Sequence, residues 1–438
     1  MDSADKKSLL IINGRLIDPA QQFDAAADLL IRDGRIAEIA PPGKLSAKSE
    51  ESFDARHLVV CPGFIDLHVH LREPGQSQKE TIASGTAAAA AGGFTSVCCM
   101  PNTDPVNDLP AITRWMQQPE RGAAINVFPI AAATVGSAGE KLTDFAALRR
   151  EGAVAVTDDG KPILHEGLMR EALHTAAELS MPVIQHAEDT RLTRGAAMHQ
   201  GFTAFRMGLR GMPSEAESQI VWRDVQLARE TGGRLHVAHI STAAALEAVR
   251  EGKKHAVHVT SEVTPHHFAL TDEDIGSREY DSNYKMNPPL RSPADRAALI
   301  AGLLDGAIEA IATDHAPHAL YEKRVEFDHA PFGIIGLETA LGLAITILHK
   351  QHGMALGRII KLLAAGPARI MSGSEALKPR GTLTVGSPAD VTIFDPAAEW
   401  TVDPTQSRSK SQNTPFAGWK LTGRVVGTLL NGDFVFRF

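Results

Sequence analysis

His68-Val69-His70 follows the apolar stretch CPGFIDL. In an extended strand residues i and i+2 face the same side, so these two imidazoles project together. Alone, a His-x-His pair is equally well read as two buried or exposed histidines. Its weight comes from what recurs along the chain. Asp158-Asp159 closes AVAVTDD, His186 closes PVIQH, His239 closes LHVAH and Asp314 closes IEAIATD. Singly, each fits a hydrogen-bonded core residue or, for Asp159 and Asp314, a helix N-cap. Jointly, four histidines and two carboxylates exceed what one catalytic zinc takes, because such a site keeps a coordination position open. The set points to two ions bridged by a carboxylate and a hydroxide. The chain is also rich in imidazole, with 18 His against 3 Tyr and 4 Trp. Arg72, two residues beyond His70, leaves the strand where its planar fork can grip a carboxylate in two places.

A frame must bring these side chains together. Between residues 62 and 373, strand-like runs (FTSVCCM, INVFPIA, AVAVTDD, PVIQHAE, LHVAHIS, HVTSEVTP, IEAIATDH) alternate with helical spacing, as in GLMREALHTAAELS and EAESQIVWRDVQLARETG. That alternation predicts an α/β unit with a parallel sheet, closed as a barrel or doubly wound. Asn102, Asp159, His186, His239 and Asp314 all fall at C-terminal strand ends, which converge on one face of a barrel. No G-x-G-x-x-G follows the first strand, so a TIM-like (β/α)8 barrel is expected. The ends of the chain differ from its middle. Residues 8–60 and 384–438 are β-rich, with hairpin signals at Asp33-Gly34 and Asn431-Gly432. Neither end has strands enough to bury both sheet faces. The expected organisation is one small β-sandwich domain built from residues 1–61 plus 374–438, with the barrel spanning 62–373.

Composition narrows the function classes. With 438 residues, 43% hydrophobic and 22% charged, the chain can build a full core and is not a disordered one. A formal charge of −8 argues against a nucleic-acid scaffold. The three cysteines, Cys61, Cys98 and Cys99, form no disulfide framework and fit a reducing, cytoplasmic compartment. The N-terminal MDSADKKSLLIING lacks the pattern of a signal peptide. Pro331 to Leu348 is apolar, but Glu338 interrupts it, so a buried helix is expected rather than a membrane span.

At the level of motifs, PGFIDLHVHLREPG, FTSVCCMPNT, TDDG, QHAED, AHIST, NPPLR, ATDHAPH, PFGIIGLE and the terminal GSPADVTIFDP resemble the amidohydrolase superfamily. More narrowly, the set resembles the longer class of bacterial dihydroorotases. The resemblance implies two zinc ions per subunit. It assigns His68, His70 and Asp314 to the first, His186 and His239 to the second, and Asp159 to the bridge, with Asp158 as its substitute. Hydantoinases, allantoinases and many dihydroorotases bridge with a carboxylated lysine; this chain has Asp-Asp-Gly there and Lys161 two residues on. The shorter bridge implies a second ion of lower occupancy. His70, Arg72, Asn102, Asn287, His318, Phe332 and Gly333 correspond to substrate contacts, Gly333 because a missing Cβ lets backbone approach a ligand. Arg291 is expected to hold its own loop, and His266 and His267 to pack. His315 and His329 show no converging partner, while His165, His174 and His199 read as loop or helix-surface residues.

The implied activity is reversible hydrolysis of dihydroorotate to N-carbamoyl-aspartate in pyrimidine biosynthesis. In it a metal-bridging hydroxide attacks the ring amide, and Asp314 serves as general base and acid. An allantoinase or hydantoinase-type cyclic amidohydrolase is the rival enzyme; a non-catalytic structural partner of aspartate transcarbamoylase is the rival of another class. The resemblance further implies a homo-oligomer, a dimer in its simplest form, that can associate with aspartate transcarbamoylase. Residues 319–330 read either as a lid or as an ordinary surface loop.

Overall fold

The computed structural model describes residues 8–45 and 51–438; the first residues of the N-terminal segment lie outside the described residues. The N-terminal part supplies β1 (Ser8–Asp18), β2 (Phe23–Arg32), β3 (Arg35–Ala40), β4 (Glu51–Asp54) and β5 (Val59–Pro62). The middle supplies β6 (Phe64–Val69), β7 (Phe94–Cys99), β8 (Asn126–Pro129), β9 (Ala131–Ala132), β10 (Val156–Thr157) and β11 (Pro182–Gln185). It continues with the short pair β12 (Met198–His199) and β13 (Gly211–Met212), then β14 (Arg234–Val237), β15 (Val259–Val263) and β16 (Ala310–Ile311). The C-terminal part adds β17 (Val391–Thr401), β18 (Lys420–Leu430) and β19 (Asp433–Arg437).

The two ends of the chain share one eight-stranded sheet, ordered β19-β18-β17-β5-β1-β2-β3, with β4 also beside β1. The join is β5 against β17, antiparallel from Val59↔Phe394 to Pro62↔Val391. Both expected hairpins form. Asp33 and Gly34 turn at φ 49° and 73°, Asn431 and Gly432 at 48° and 82°, the two positive φ values a tight two-residue hairpin needs. Leu16, Leu29, Ile36, Val391, Ile393 and Leu429 meet in a hydrophobic cluster of this sheet, drawn from both ends.

The middle strands all pair in parallel. One group runs β6-β7-β8 and another β9-β10-β11-β14-β15-β16. Only Ile130 separates β8 from β9, and its N–H donates to Cys99 while Ala131 donates to Ala155, so the chain passes from one group to the other without leaving the layer. On the far side, the chain beyond β16 returns to β6 through a parallel bridge between His315 and Val69. β6 and β7 are buried on both faces, as expected of parallel strands covered by helices. The helix Glu215–Thr231 is typical of that cover: Ile220, Val221, Val225 and Ala228 form its buried stripe. Cys98 and Cys99 sit in β7, and all three thiols are free and buried.

Pro331–Leu348 departs from the expected helix. Helical turns begin at Ala340 and widen to π-type over Ala344–Gln351. Pro331–Thr339 is instead a loop, because its polar groups are engaged elsewhere: Lys323 Nζ donates to the Pro331 and Gly333 carbonyls, and Glu338 accepts from the Arg408 N–H. Among the described residues no helix is long and apolar enough to cross a membrane.

Candidate metal centre

Strand β6 carries His68, fully buried, and delivers His70 one residue past its end. Four other strands each contribute one group past their C-terminal ends: Asp159 after β10, His186 after β11, His239 after β14, Asp314 after β16. The Asp159 carboxylate lies within reach of all four imidazoles, at 3.4 Å from His68 Nε2, 3.7 Å from His70 Nε2, 3.6 Å from His186 Nδ1 and 3.8 Å from His239 Nε2. Asp314 Oδ1 lies 3.0 Å from His70 Nε2 and 3.4 Å from His68 Nε2. Asp158 does not join them; its carboxylate accepts from the Thr134 N–H and hydroxyl. Arg72, His239 and Asp314 all hold left-handed backbone, at φ 61°, 32° and 46°. Such strain persists only where the surroundings over-determine it, and it concentrates at functional sites.

The donor set fits divalent metal. Among the described residues, His68 Nε2 and His239 Nδ1 are buried without a hydrogen-bond partner, an arrangement that costs free energy unless something accepts their lone pairs. Three overlapping ligand groups converge: His68, His70 and Asp159; Asp159, His186 and His239; His68, His239 and Asp314. Burial opposes ionisation of Asp159 and Asp314, yet the surrounding imidazoles, His68 foremost, hold both carboxyls well below the usual range. Ionised oxygens beside imidazole nitrogens are what zinc or a similar ion takes.

Behind the imidazoles stands a layer the sequence did not reveal. Glu262, at the end of β15, bridges His68 Nδ1 and His236 Nε2, at 3.1 Å each. Glu188 Oε2 lies 3.0 Å from His186 Nε2 and accepts from Asn287 Nδ2 at 2.9 Å. Burial raises the Glu262 carboxyl, but His236 and His68 outweigh it and hold it down to about 2. Such outer partners fix the tautomer of a ligating imidazole and strengthen its basicity. The available signals were a Glu inside the apolar run HVTSEVTP and the i+2 spacing of His186 and Glu188. Glu262→Gln is therefore expected to fold normally and to lose metal affinity about 10- to 100-fold, read by competition with a chromophoric chelator. Unchanged affinity would remove Glu262 from this role.

A cavity of about 230 Å³ opens above the cluster, lined by His70, Arg72, Asn102, Asp159, His186, His239, Asn287, Asp314, His318 and Phe332 among others. Asn102 touches the cluster itself, through His70 Nδ1 at 2.9 Å and Asp159 Oδ2 at 3.1 Å. Arg72 donates from Nε to the Pro317 carbonyl at 3.1 Å, and its Nη2 lies 3.4 Å from His318 Nε2. His318 gives its Nε2–H to the Phe332 carbonyl at 2.8 Å. Burial, reinforced by Arg72, Lys79 and Lys323, pushes its imidazole down to about 2, so it is neutral. Gly333 stands outside the lining, and its closeness serves a different contact from the one expected. A Cβ there would meet Ala316 O at 2.5 Å and His318 Cδ2 at 2.7 Å, so the glycine seats His318.

The remaining histidines sort by burial. His267 donates to the Pro288 carbonyl at 3.0 Å and braces the NPPLR loop, while His266 packs against it with ring centroids 4.6 Å apart. Arg291 holds its loop as expected, pairing with Glu217 at 3.1 Å and donating to Ser241 Oγ at 3.0 Å. Two readings need correction. His315 is buried with Glu80 at 3.4 Å, and its carbonyl accepts from the His70 N–H. His199 is buried 3.4 Å from Arg291 rather than on the surface. Both partners come from distant segments, so local pattern could not expose them. His165 caps the helix Glu166–Glu178, and His174 and His329 are exposed.

The family profile described as Dihydro-orotase-like matches residues 57–245. The dihydroorotase of Solibacter usitatus is 52% identical over 425 residues, covering 97% of each chain. That of Anaeromyxobacter sp. strain K is 48% identical over 428 residues, covering 98% of this chain and 97% of its own. Among solved structures, the L-hydantoinase of Arthrobacter aurescens superposes with TM-score 0.87 at 23% identity, covering 98% of this chain and 96% of its own. The D-hydantoinase of Bacillus sp. AR9 gives 0.84 at 25% identity, covering 98% and 95%. The solved structures speak to the fold.

Proposed function

The chain belongs to the dihydroorotase family, within the amidohydrolase superfamily, and from that premise we propose how its site works. The protein is a metal-dependent cyclic amide hydrolase that interconverts dihydroorotate and N-carbamoyl-aspartate in pyrimidine biosynthesis. One observation carries the assignment of roles. The Asp159 carboxylate, ringed by four imidazoles, lines the same cavity as Arg72 and His318. The site thus sets an electrophile-activating end beside a carboxylate-binding end.

In this reading His68, His70 and Asp314 hold one zinc, His186 and His239 the other, and Asp159 serves both. Bound there, zinc lowers the pKa of water toward about 7 and polarises a carbonyl, which answers the poor nucleophile and poor electrophile of amide hydrolysis. The side chains do the rest. Asp314 accepts the proton of the attacking water and delivers it to the ring nitrogen as the amide C–N bond breaks. In the cyclising direction it protonates the departing hydroxyl. Arg72 and Asn102 hold the ring carboxylate, with neutral His318 against Arg72, while Asn287 and the Phe332 backbone meet the ring amide groups. The Gly333 N–H and carbonyl are taken by Lys285, Lys323 and Asn413, so its part is to seat His318. Glu188 orients Asn287, and Glu262 orients His68.

The finer architecture belongs to the same reading. The strands close as a (β/α)8 barrel over 62–373, and a β-sandwich domain forms from 1–61 and 374–438. The Val69–His315 bridge and the likeness to the hydantoinases support it. A cytoplasmic dimer, able to contact aspartate transcarbamoylase, completes it; sedimentation velocity with and without that partner tests association. The decisive assay offers purified protein dihydroorotate, allantoin and a hydantoin, with metal content measured on the same sample. Turnover of dihydroorotate at more than about 100-fold the kcat/KM of either rival ring is expected, since a site built for a carboxylate leaves buried charge unpaired when a neutral ring binds. A zinc-loaded sample preferring allantoin or hydantoin would overturn the assignment.

A further inference from the structure

The segment joining β17 to β18 includes Ser407-Arg408-Ser409-Lys410-Ser411-Gln412-Asn413, none of which lines the cavity. Its alternate residues point inward in turn. The Ser407 hydroxyl donates to Glu338, the Ser409 hydroxyl to Glu80, and the Ser411 hydroxyl to the Lys79 carbonyl at 2.6 Å. The Lys410 N–H also donates to Glu80, at 3.2 Å. Each of these partners lies on a loop that carries a proposed substrate contact. Lys79 and Glu80 follow Arg72, and Glu338 follows Phe332-Gly333.

Asn413 ends the series and is itself buried. Its Oδ1 accepts from the His318 N–H at 3.0 Å. Its Nδ2 donates to the carbonyls of Ala316 and Gly333, both at 3.0 Å. Its own carbonyl accepts from the Ile335 N–H at 3.0 Å. A primary amide has one acceptor oxygen and two N–H donors, and here all are spent on the two loops that meet at His318. The amide is also neutral, so it brings no charge to the His318 loop. The seat is tight, because Gly333 already approaches His318 as closely as a residue without Cβ allows.

We infer that Asn413 is a positioning residue for the carboxylate-binding end of the site, locking the His318 loop to the Gly333 loop from a segment that touches neither metal ligands nor cavity. The inference rests on the assignment of Arg72 and His318 to the carboxylate-binding end of the site. Losing an interaction that binds ground state and transition state alike raises KM and leaves kcat. Asn413→Ala, in the full chain loaded with zinc, is therefore expected to raise KM for dihydroorotate at least tenfold. The Ki of orotate, a flat ring bearing the same carboxylate, should rise in step, while kcat and bound metal stay within threefold. A fall in kcat with unchanged KM, or loss of metal in parallel with activity, would assign Asn413 to general support and overturn the inference. Unchanged kinetics would overturn it too. Asn413→Asp keeps the size and the acceptor facing His318 but removes both donors, and it is read the same way should the alanine variant not fold. If neither variant yields folded, zinc-loaded protein, Asn413 serves the fold and the inference fails. Absence of dihydroorotate turnover in the wild-type protein would show before any variant is made; it would sink the functional reading, and this inference with it.

Discussion

Asp314→Asn is expected to lower kcat for dihydroorotate by about 10²–10⁴-fold, the usual worth of a positioned proton carrier. At 1.36 kcal/mol per tenfold, that is about 3–5 kcal/mol of barrier. The amide oxygen keeps the size and shape of the carboxylate at the end of β16, so KM should change little. What disappears is the ability to take a proton 3.0 Å from His70 and 3.4 Å from His68, where the imidazoles now keep Asp314 ionised. Because the same side chain stands among the residues able to hold metal, metal content must be measured on the assayed sample. Recovery of more than a tenth of wild-type kcat, with or without added zinc, would remove Asp314 as the proton carrier.

Arg72→Met should separate recognition from chemistry. Arg72 is 9% exposed and, among the described residues, its guanidinium has no carboxylate within ion-pair distance. Burial lowers its pKa, the distant charges of Asp314 and Asp159 opposing the shift. A buried, unpaired cation on a cavity wall is costly unless an anion arrives to meet it. Removing one partner of a desolvated charge pair costs about 2–5 kcal/mol. The expected loss of kcat/KM for dihydroorotate is therefore about 30- to several thousand-fold. A neutral ring gains nothing from Arg72 and should lose less than about threefold. Equal losses on both rings would show that Arg72 does not read the carboxylate.

The histidines and aspartates that converge at Asp159 could be read from the sequence because each obeys a local rule, whereas Asn287, His318 and Phe332 of the cavity lining were implied by the family resemblance alone. A polar residue closing an apolar run is visible wherever a strand ends, and parallel strands carry those ends to one face. The rule could not choose between Asp158 and Asp159, which are adjacent at the end of the same run. Thr134, 24 positions away, engages Asp158 and leaves Asp159 to the histidines. Periodicity also misjudged Pro331–Thr339, whose apolar residues suit a helix. Lys323 and Asn413 capture carbonyls of that segment, and a helix would need its backbone groups for itself.

What the sequence determined by itself is the donor chemistry, the parallel α/β middle, and the β-rich ends with their two hairpins. Each depends on residue type and on spacings of two to four positions. What only the tertiary structure decided is which groups stand behind those donors and which hold the neighbouring loops together. Glu262 meets His68 from 194 positions away, Glu80 meets Ser409 from 329, and Asn413 meets the Gly333 loop from 80. Contacts of that range form once the chain has closed on itself, and hydrogen bonds to backbone carbonyls leave almost no mark on the identity of the residue that accepts them.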